Sequence, residues 1–422
     1  MVKPDHRSPV VVAQIWYKVG SAYEPGGVTG ISHLCEHLMF KGTPKHPAGQ
    51  FSKIIGENGG EENAMTSNDF TNYFQKLSND RLEISFQLEA DRMRNLNVPE
   101  AEFKKELEVV KEERRMRLED VPEGLLYERF NAAAHLTSPY HHLTMGWMSD
   151  LNSVTLADAK AWYQKWYAPN NAILVVVGDV DPNHVQQLAE KYFGPLKPSI
   201  LPTLKPQGEP PPVGERGVVV RAPAKLPMLF IGYNVPSLKT TKEPWKVYAL
   251  AIISGILDSG DSSRLPSELV RRQQIASQAG AYYEPFALYS PLFILQGVPA
   301  EGKNVAGLKA ALLAEIKRLQ TTLIQPAELQ RVKTQIIAQK VFAKDSQFGQ
   351  AMEIGGLESV GLSWREGTNY VEQVKKITPE QIQAVAKEYL ISDRLTLGEL
   401  QALPITQNAV KRQPIIGAHD HD

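Results

Sequence analysis

The segment His33-Leu34-Cys35-Glu36-His37 constrains the fold of this chain more than any other stretch. Two histidines four residues apart lie one above the other on one face of an α-helix, so the segment predicts a helix whose two imidazoles point to the same place. Glu36 lies on the same side of that helix as the histidines. Cys35 points the opposite way, and we interpret it as a small buried apolar residue and not as a ligand.

Paired imidazoles at this spacing are typical of a metal site, and the order H-x-x-E-H is the inverted form of a zinc-peptidase motif. Zinc bound there would lower the pKa of its water to about 7 and polarise a carbonyl group. Glu36 would take the proton of that water as the general base without binding the metal itself. A chance match in a chain with 10 histidines is the alternative.

Two histidines leave a catalytic zinc ion one short of its usual three protein ligands. The sequence from 100 to 120 predicts a helix rich in carboxylates, which offers candidates for the third ligand. The candidates are Glu106, Glu108, Glu112 and Glu113. The pattern alone does not choose among them, because most charges on such a helix simply face the solvent.

The length and the composition restrict the possible classes of protein. A chain of 422 residues is too long for one ordinary core, so we expect at least two domains. The net charge is −1 and no basic block with interleaved aromatic residues occurs, which argues against a nucleic-acid partner. The longest aliphatic runs, such as residues 173–177, have the length of a strand, so no membrane span is expected.

A proline-rich stretch at residues 198–216 predicts an extended linker between a domain 1–197 and a domain 217–422. The two halves of the chain look related. Thr155 opens a predicted amphipathic helix that leads through a turn into a strand, and Thr378, 223 residues later, opens the same series of elements. An internal duplication, with a second domain that lacks zinc ligands, is the simplest interpretation.

The periodicity predicts a mixture of β-hairpins and long helices. Strands are predicted at residues 10–19, 71–76, 173–177 and 395–400, and helices at residues 30–40, 49–58, 80–95, 100–120, 156–167 and 378–390. The expected fold is α+β, with two homologous domains of about 200 residues, each a mainly antiparallel sheet packed with helices.

Five segments between residues 30 and 171 carry a specific pattern, and the resemblance to which they point covers nearly the whole chain. They are residues 30–43, 63–67, 71–74, 109–113 and 167–171, which read GISHLCEHLMFKGT, NAMTS, TNYF, VVKEE and YAPNN. With these segments the sequence resembles the pitrilysin/insulinase family of zinc metallopeptidases. The first segment is highly specific to that family.

The resemblance implies one zinc ion bound by His33, His37 and Glu113, with Glu36 as the general base. It also implies that Glu106 supports the site from behind. Glu106 precedes Glu113 by two helical turns and shares its face of the helix. In that position it can orient a ligand and tune its basicity.

The resemblance further implies a role for Asn63 and Ala64. They would lie on a sheet edge where an extended peptide substrate adds as a further strand. Backbone pairing of this kind suits an enzyme that reads extended peptides by their shape, with loose side-chain specificity.

The second half departs from the family in one respect. Self-sufficient members carry an arginine and a tyrosine seven residues apart, after a serine-arginine-leucine segment, and this pair holds the substrate and supports the developing oxyanion. Here that segment is residues 263–265, and the two positions hold Val270 and Ser277. A substitute role for Tyr282 or Tyr283 is the alternative to a missing pair.

We therefore expect a zinc metalloendopeptidase subunit in a heterodimer, whose homologous partner lacks zinc ligands and supplies the arginine and the tyrosine. The mitochondrial processing peptidase, with its zinc-bearing β subunit, and paired bacterial members are assembled in this way. Two clam-like halves would enclose a chamber for peptides. An autonomous homodimeric zinc peptidase and a non-catalytic structural subunit of the same fold are the alternatives, and the intact motif favours catalysis.

The compartment follows less directly from the sequence. The single cysteine, Cys35, excludes an internal disulfide and suits cytosol and periplasm alike. A strand pattern begins soon after Met1, which suggests that a leader has been removed. Paired bacterial members are mostly exported, so we expect a periplasmic or otherwise exported protein, with the cytoplasm as the alternative.

We interpret His141-His142 as part of an ordinary loop and residues 419–422 as a chain end, not as metal sites.

Overall fold

Two five-stranded β-sheets organise the chain in the computed structural model, which describes residues 1–205 and 207–405. The histidine-containing tail at 419–422 lies outside the described residues. The strands are β1 (Val2–Pro4), β2 (Val10–Tyr17), β3 (Glu61–Thr66), β4 (Thr71–Ser78), β5 (Ala172–Gly178), β6 (Arg216–Pro223), β7 (Met228–Asn234), β8 (Ala276–Tyr282), β9 (Leu292–Pro299) and β10 (Leu395–Leu403).

The two sheets have the same topology. The strand order is β1-β5-β2-β4-β3 in the first sheet and β6-β10-β7-β9-β8 in the second. In each sheet the pair at one end is parallel, β1 with β5 and β6 with β10, and the other neighbouring pairs are antiparallel. The predicted α+β fold with two related, mainly antiparallel sheets is therefore confirmed. β3 and β8 are the edge strands at the antiparallel ends.

Helices pack on both sheets. They are α1 (Ile31–Leu38), α2 (Gln50–Glu57), α3 (Leu82–Asn95), α4 (Glu100–Arg114), α5 (Pro122–Ala134), α6 (Met148–Leu151), α7 (Leu156–Trp166), α8 (Pro182–Tyr192), α9 (Pro244–Leu257), α10 (Val305–Thr321), α11 (Pro326–Ala343), α12 (Gln347–Ser359), α13 (Arg365–Lys376) and α14 (Pro379–Tyr389). The predicted helix 100–120 continues after α4 as a π-helical segment, Arg115–Glu119. Within the described part of the chain, no helix has the length and apolar character that crossing a membrane requires.

The two related segments begin with the same helix cap. At the start of α7 the Thr155 hydroxyl accepts the N–H of Asp158, whose carboxylate accepts the N–H of Thr155 in return. Thr378 and Gln381 form the same reciprocal pair at the start of α14. Each cap satisfies backbone N–H groups that a helix start leaves unpaired. The helices then lead into β5 and β10, which occupy equivalent places in their sheets.

The segment between the two sheets is extended. Residues 193–215, apart from residue 206, contain neither helix nor strand. This stretch includes nearly all of the proline-rich linker that was predicted at residues 198–216. The bounds of the two domains stay a prediction, because each half also packs a helix on the sheet of the other half.

The exchanged helices are α5 and α12. α5 packs on β6, β7 and β10 of the second sheet, and α12 packs on β2 and β5 of the first sheet. Phe130 of α5 lies over Gly232 and Gly398, where a side chain would collide with the Phe130 ring at Gly232 and make an unusually tight contact with it at Gly398. Trp16 of β2 lies in the same way against Gly355 of α12. β2 is therefore covered on both faces, which explains why its sequence is apolar almost throughout and does not alternate.

We expect Gly355→Ala to destabilise the protein, because the added methyl group collides with the buried ring of Trp16. Overpacking of this kind costs about 1–3 kcal/mol. The measurement is the free energy of unfolding in urea.

The matched control is Gly356→Ala, one residue further along α12, where the space beside the backbone is open. Alanine is favoured over glycine within a helix by about 0.5–1 kcal/mol, so this variant should be slightly more stable than the parent protein. Equal free energies of unfolding for the two variants would contradict the packing of α12 on the first sheet.

Candidate metal site

A buried carboxylate holds the first turn of α1, the helix that carries the histidine pair. Gly30 precedes the helix with a φ of +88°, a conformation that other residues rarely adopt. The two oxygens of Glu24 accept the N–H groups of Gly30 and Ser32, each at 2.7 Å. His142 is buried beside this carboxylate, with its Nε2 3.3 Å from Oε2 of Glu24. A negative group at a helix N-terminus complements the helix dipole, and the sequence pattern identified neither Glu24 nor His142 as a support.

Three potential ligand atoms converge between α1 and α4. The Nε2 atoms of His33 and His37 lie 3.2 Å apart. Oε2 of Glu113, from the last turn of α4, lies 3.3 Å from Nε2 of His37 and 3.6 Å from Nε2 of His33. Within residues 1–205 and 207–405, this is the group of histidine and carboxylate side chains that could hold a metal ion.

The spacing of these atoms fits a zinc ion. Tetrahedral zinc with bonds of about 2.0–2.2 Å places its ligand atoms about 3.3–3.5 Å apart. The three separations, 3.2, 3.3 and 3.6 Å, are close to that range. Two imidazoles and one carboxylate are also a usual donor set of catalytic zinc sites, in which the fourth position holds water.

Among the candidate glutamates of α4, Glu113 is the one that reaches both histidines. Glu112 pairs with Arg115 at 2.8 Å, and Glu108 pairs with Lys111 at 2.9 Å. These two carboxylates therefore belong to ion pairs on the helix surface. The packing of α4 against α1 therefore distinguishes Glu113 from these two by its position.

Glu106 supports the histidine pair from behind. Its Oε1 lies 3.0 Å from Nδ1 of His37, and its Oε2 pairs with Lys41. In the neutral ring, the first contact favours the proton on Nδ1 and leaves Nε2 to face the other two ligand atoms. Burial acts to raise the pKa of Glu106, but His37 and Lys41 hold it below its ordinary value.

The carboxylates of the cluster favour the positively charged form of the neighbouring histidine. Burial acts to lower the pKa of His37, but Glu106 and Glu113 outweigh this effect and raise the pKa to about 9. Burial also acts to raise the pKa of Glu113, but the two histidines and Arg117 lower it to about 2. A metal ion would displace the proton that His37 holds and take over its charge.

Glu36 is buried next to this cluster. Burial raises the pKa of its carboxyl group to about 7, against the opposing effects of Thr66 and His37. The hydroxyl of Thr66 donates a hydrogen bond to Oε2 of Glu36. A carboxyl group with a pKa near neutrality can take up a proton and give it back.

Cys35 points away from the cluster and is buried, with its Sγ 3.7 Å from the carbonyl oxygen of Ala159, as predicted for a small core residue.

Asn63 and Ala64 lie on β3, the edge strand of the first sheet. β3 pairs with β4 on one side, and no other described strand pairs with its second side. Ala64 is buried in the core that also contains α1. Its N–H donates to the side-chain oxygen of Asn63 at 2.7 Å.

The two positions at which the arginine and the tyrosine were expected are occupied by residues with structural contacts. Val270 packs against the core of the second half. Ser277 lies on the edge strand β8, with its hydroxyl 3.3 Å from the carbonyl oxygen of Val298. Of the two substitute candidates, Tyr283 is buried and donates to a backbone carbonyl, whereas Tyr282 is 58% exposed.

Two family models match most of the first 336 residues, and relatives match almost the whole chain. Residues 1–145 match the model described as "Insulinase (Peptidase family M16)", and residues 153–336 match the model described as "Peptidase M16 inactive domain". The zinc protease PqqE of Helicobacter pylori is 36% identical to this chain, over 91% of this chain and 86% of that protein. An uncharacterized zinc protease of Rickettsia felis is 27% identical, over 96% of this chain and 91% of that protein.

Solved structures have the same fold. A protease from Helicobacter pylori has a TM-score of 0.90 at 34% identity, and the match covers 95% of this chain and 96% of that chain. The periplasmic protease PqqL from Escherichia coli has a TM-score of 0.77 at 17% identity, and the match covers 97% of this chain but 47% of that chain. This chain therefore belongs to the pitrilysin/insulinase family of zinc peptidases, family M16.

Proposed function

We propose that this chain is the zinc-bearing subunit of a metalloendopeptidase that hydrolyses extended peptides. The observation that carries the proposal is the convergence of His33, His37 and Glu113 at separations that suit zinc. The names of the relatives, zinc proteases, support a peptidase. The second half, where a family model described as inactive matches, has no comparable cluster among the described residues.

The chemistry follows from the position of each side chain. Zinc held by His33, His37 and Glu113 would supply a water of lowered pKa and polarise the scissile carbonyl. Glu36 would be the base that takes up a proton during the attack on the peptide and gives it to the leaving amine. Burial gives the Glu36 carboxylate the proton affinity that this transfer needs near neutral pH. Glu106 keeps the ring of His37 in the orientation that directs Nε2 to the metal.

We further propose that the substrate lies along β3 as an added strand. The second side of this strand carries no partner among the described strands. An incoming peptide carbonyl would replace the side-chain oxygen of Asn63 as the acceptor for the N–H of Ala64. Recognition through backbone groups would give a broad substrate range, because every extended peptide presents the same groups.

A homologous partner would supply the missing arginine and tyrosine, in a heterodimer that encloses the peptide. The structural contacts of Val270 and Ser277 support this part of the proposal. The chain of E. coli PqqL is about twice as long as the part that matches this chain, which leaves room there for a second unit of this size. An autonomous homodimer, in which the exposed Tyr282 acts on the substrate, and a non-catalytic subunit are the alternatives.

We also propose an exported, periplasmic location. The paired members that the sequence resembles are mostly exported, and E. coli PqqL is described as a periplasmic protease. Cell fractionation with a compartment marker tests this, and recovery with the cytosolic fraction would overturn it.

We expect the zinc-loaded chain alone, at concentrations where light scattering shows a monomer, to leave a quenched, unstructured peptide uncleaved. Addition of a homologous chain that carries the arginine and the tyrosine should start cleavage, because the oxyanion then gains its donors. Full activity of the monomer would instead establish an autonomous peptidase. Failure of both samples to cleave would contradict the proposed function.

In the species that cleaves, Glu36→Gln should keep its zinc and lose activity by about 10²- to 10⁴-fold, because the amide cannot accept the proton. Zinc content by atomic absorption and the rate of peptide cleavage are the two measurements. Substantial cleavage by this variant would assign the base to another residue.

Glu113→Ala should lose zinc on dialysis, because two protein ligands rarely hold this metal. The neighbouring Glu112→Ala is the matched control, since Glu112 pairs with Arg115 and makes no contact with the histidines. It should retain zinc at the level of the parent protein. Equal zinc retention by the two variants would contradict the assignment of the third ligand.

A further inference from the structure

Thr66 joins the edge strand of the first sheet to the Glu36 carboxylate. It is the last residue of β3, opposite Thr71 at the closed end of the β3–β4 hairpin. Its hydroxyl donates to Oε2 of Glu36. The Thr71 hydroxyl donates its own proton to the carbonyl of Val19 at 2.9 Å. Its Oγ1 lies 3.5 Å from Oγ1 of Thr66 and is a second acceptor within reach, but the contact of Thr66 with Glu36 is much shorter. A hydroxyl has one proton to donate, and that of Thr66 goes to Glu36.

The backbone that presents Thr66 is fixed by buried contacts. In the turn of the hairpin, the Ser67 hydroxyl accepts the N–H groups of Asp69 and Phe70, both at 3.1 Å. The buried carboxylate of Asp69 accepts the Tyr140 hydroxyl at 2.7 Å and the N–H of Leu288, from the second half, at 3.0 Å. A side chain on such a fixed turn can hold its partner in a defined position.

We propose that Thr66 is a positioning residue that sets the Glu36 carboxylate relative to the strand along which the peptide binds. This inference rests on the proposed function. A peptide added to β3 takes its position from the backbone of that strand, and the Thr66 hydroxyl ties the base to the same backbone. Since β3 then holds both the peptide and the Glu36 carboxylate, this one strand fixes the distance between the base and the scissile bond. Thr66 occupies one oxygen of the carboxylate and leaves the other for a water molecule.

Two variants test the role of this hydroxyl. Thr66→Val replaces the hydroxyl by a methyl group and keeps the branched shape that suits a strand. In the species that cleaves, its kcat should fall about 10- to 100-fold, since a misplaced catalytic group loses about that much. Its KM should stay within about twofold and its zinc content should be unchanged, because binding and metal ligation do not use the hydroxyl. Thr66→Ser restores the donor and should return kcat to within about threefold of the parent value.

The matched control is Thr71→Val, which removes the neighbouring hydroxyl but no contact with Glu36. Its kcat should remain within about threefold of the parent value. An unchanged kcat in Thr66→Val, or a failure of Thr66→Ser to restore it, would overturn the proposal. An equal loss in Thr71→Val would also overturn it, because the loss would then not depend on the hydroxyl that contacts Glu36.

Crystal structures of zinc-loaded Thr66→Val and Thr66→Ser provide a readout that does not require cleavage. The Glu36 carboxylate should turn away from its parent position in the valine variant and keep that position in the serine variant. An unmoved Glu36 in the valine variant would overturn the role of Thr66. If the parent protein cleaves no peptide with or without a partner, the proposed function fails, and these structures still decide whether Thr66 holds Glu36.

Discussion

The contact between α1 and α4 brings two imidazoles and several carboxylates together in a space with little access to water. The surrounding residues stabilise these charges and hold the two helices in place. Carboxylates removed from water require positive partners. Lys41 and Arg117 provide part of this compensation, and a divalent ion would provide the largest part. The ends of both helices are held as well, by Glu24 at the start of α1 and by the buried Arg114–Glu128 ion pair at the end of α4.

Local patterns were sufficient to predict the elements that carry the site. The spacing of His33 and His37 requires a helical turn, and the caps at Thr155 and Thr378 mark the starts of α7 and α14. These features depend on residues close together in the sequence, so one chain is enough to recognise them. The third ligand is different, because Glu106, Glu108, Glu112 and Glu113 share one helix and differ only in what packs against them. The resemblance to a family pointed to Glu113, and the packing of α4 on α1 brings that residue to the histidines.

Long-range contacts account for what the sequence did not reveal. Glu24 acts on α1 from a loop, and nothing in its neighbouring residues distinguishes it from an ordinary polar position. Thr66 lies in the segment 63–67 that carries the family resemblance, but the sequence does not show that its hydroxyl reaches Glu36. The exchange of α5 and α12 was also missed, because an apolar helix face does not say which sheet it covers. Gly232 and Gly398 were a usable signal, since a glycine inside a strand often marks the close approach of another group.

The exchange of α5 and α12 has a mechanical consequence. A hinge motion between the two sheets would have to lift Phe130 from its two glycines and draw Gly355 away from Trp16. Close-packed contacts of this kind do not deform gradually, so they oppose bending between the two sheets. Under the proposed function, we expect a long peptide to enter when this chain separates from its partner chain and not when the chain itself bends. The strength of the contact between the two chains would set how often the chamber opens.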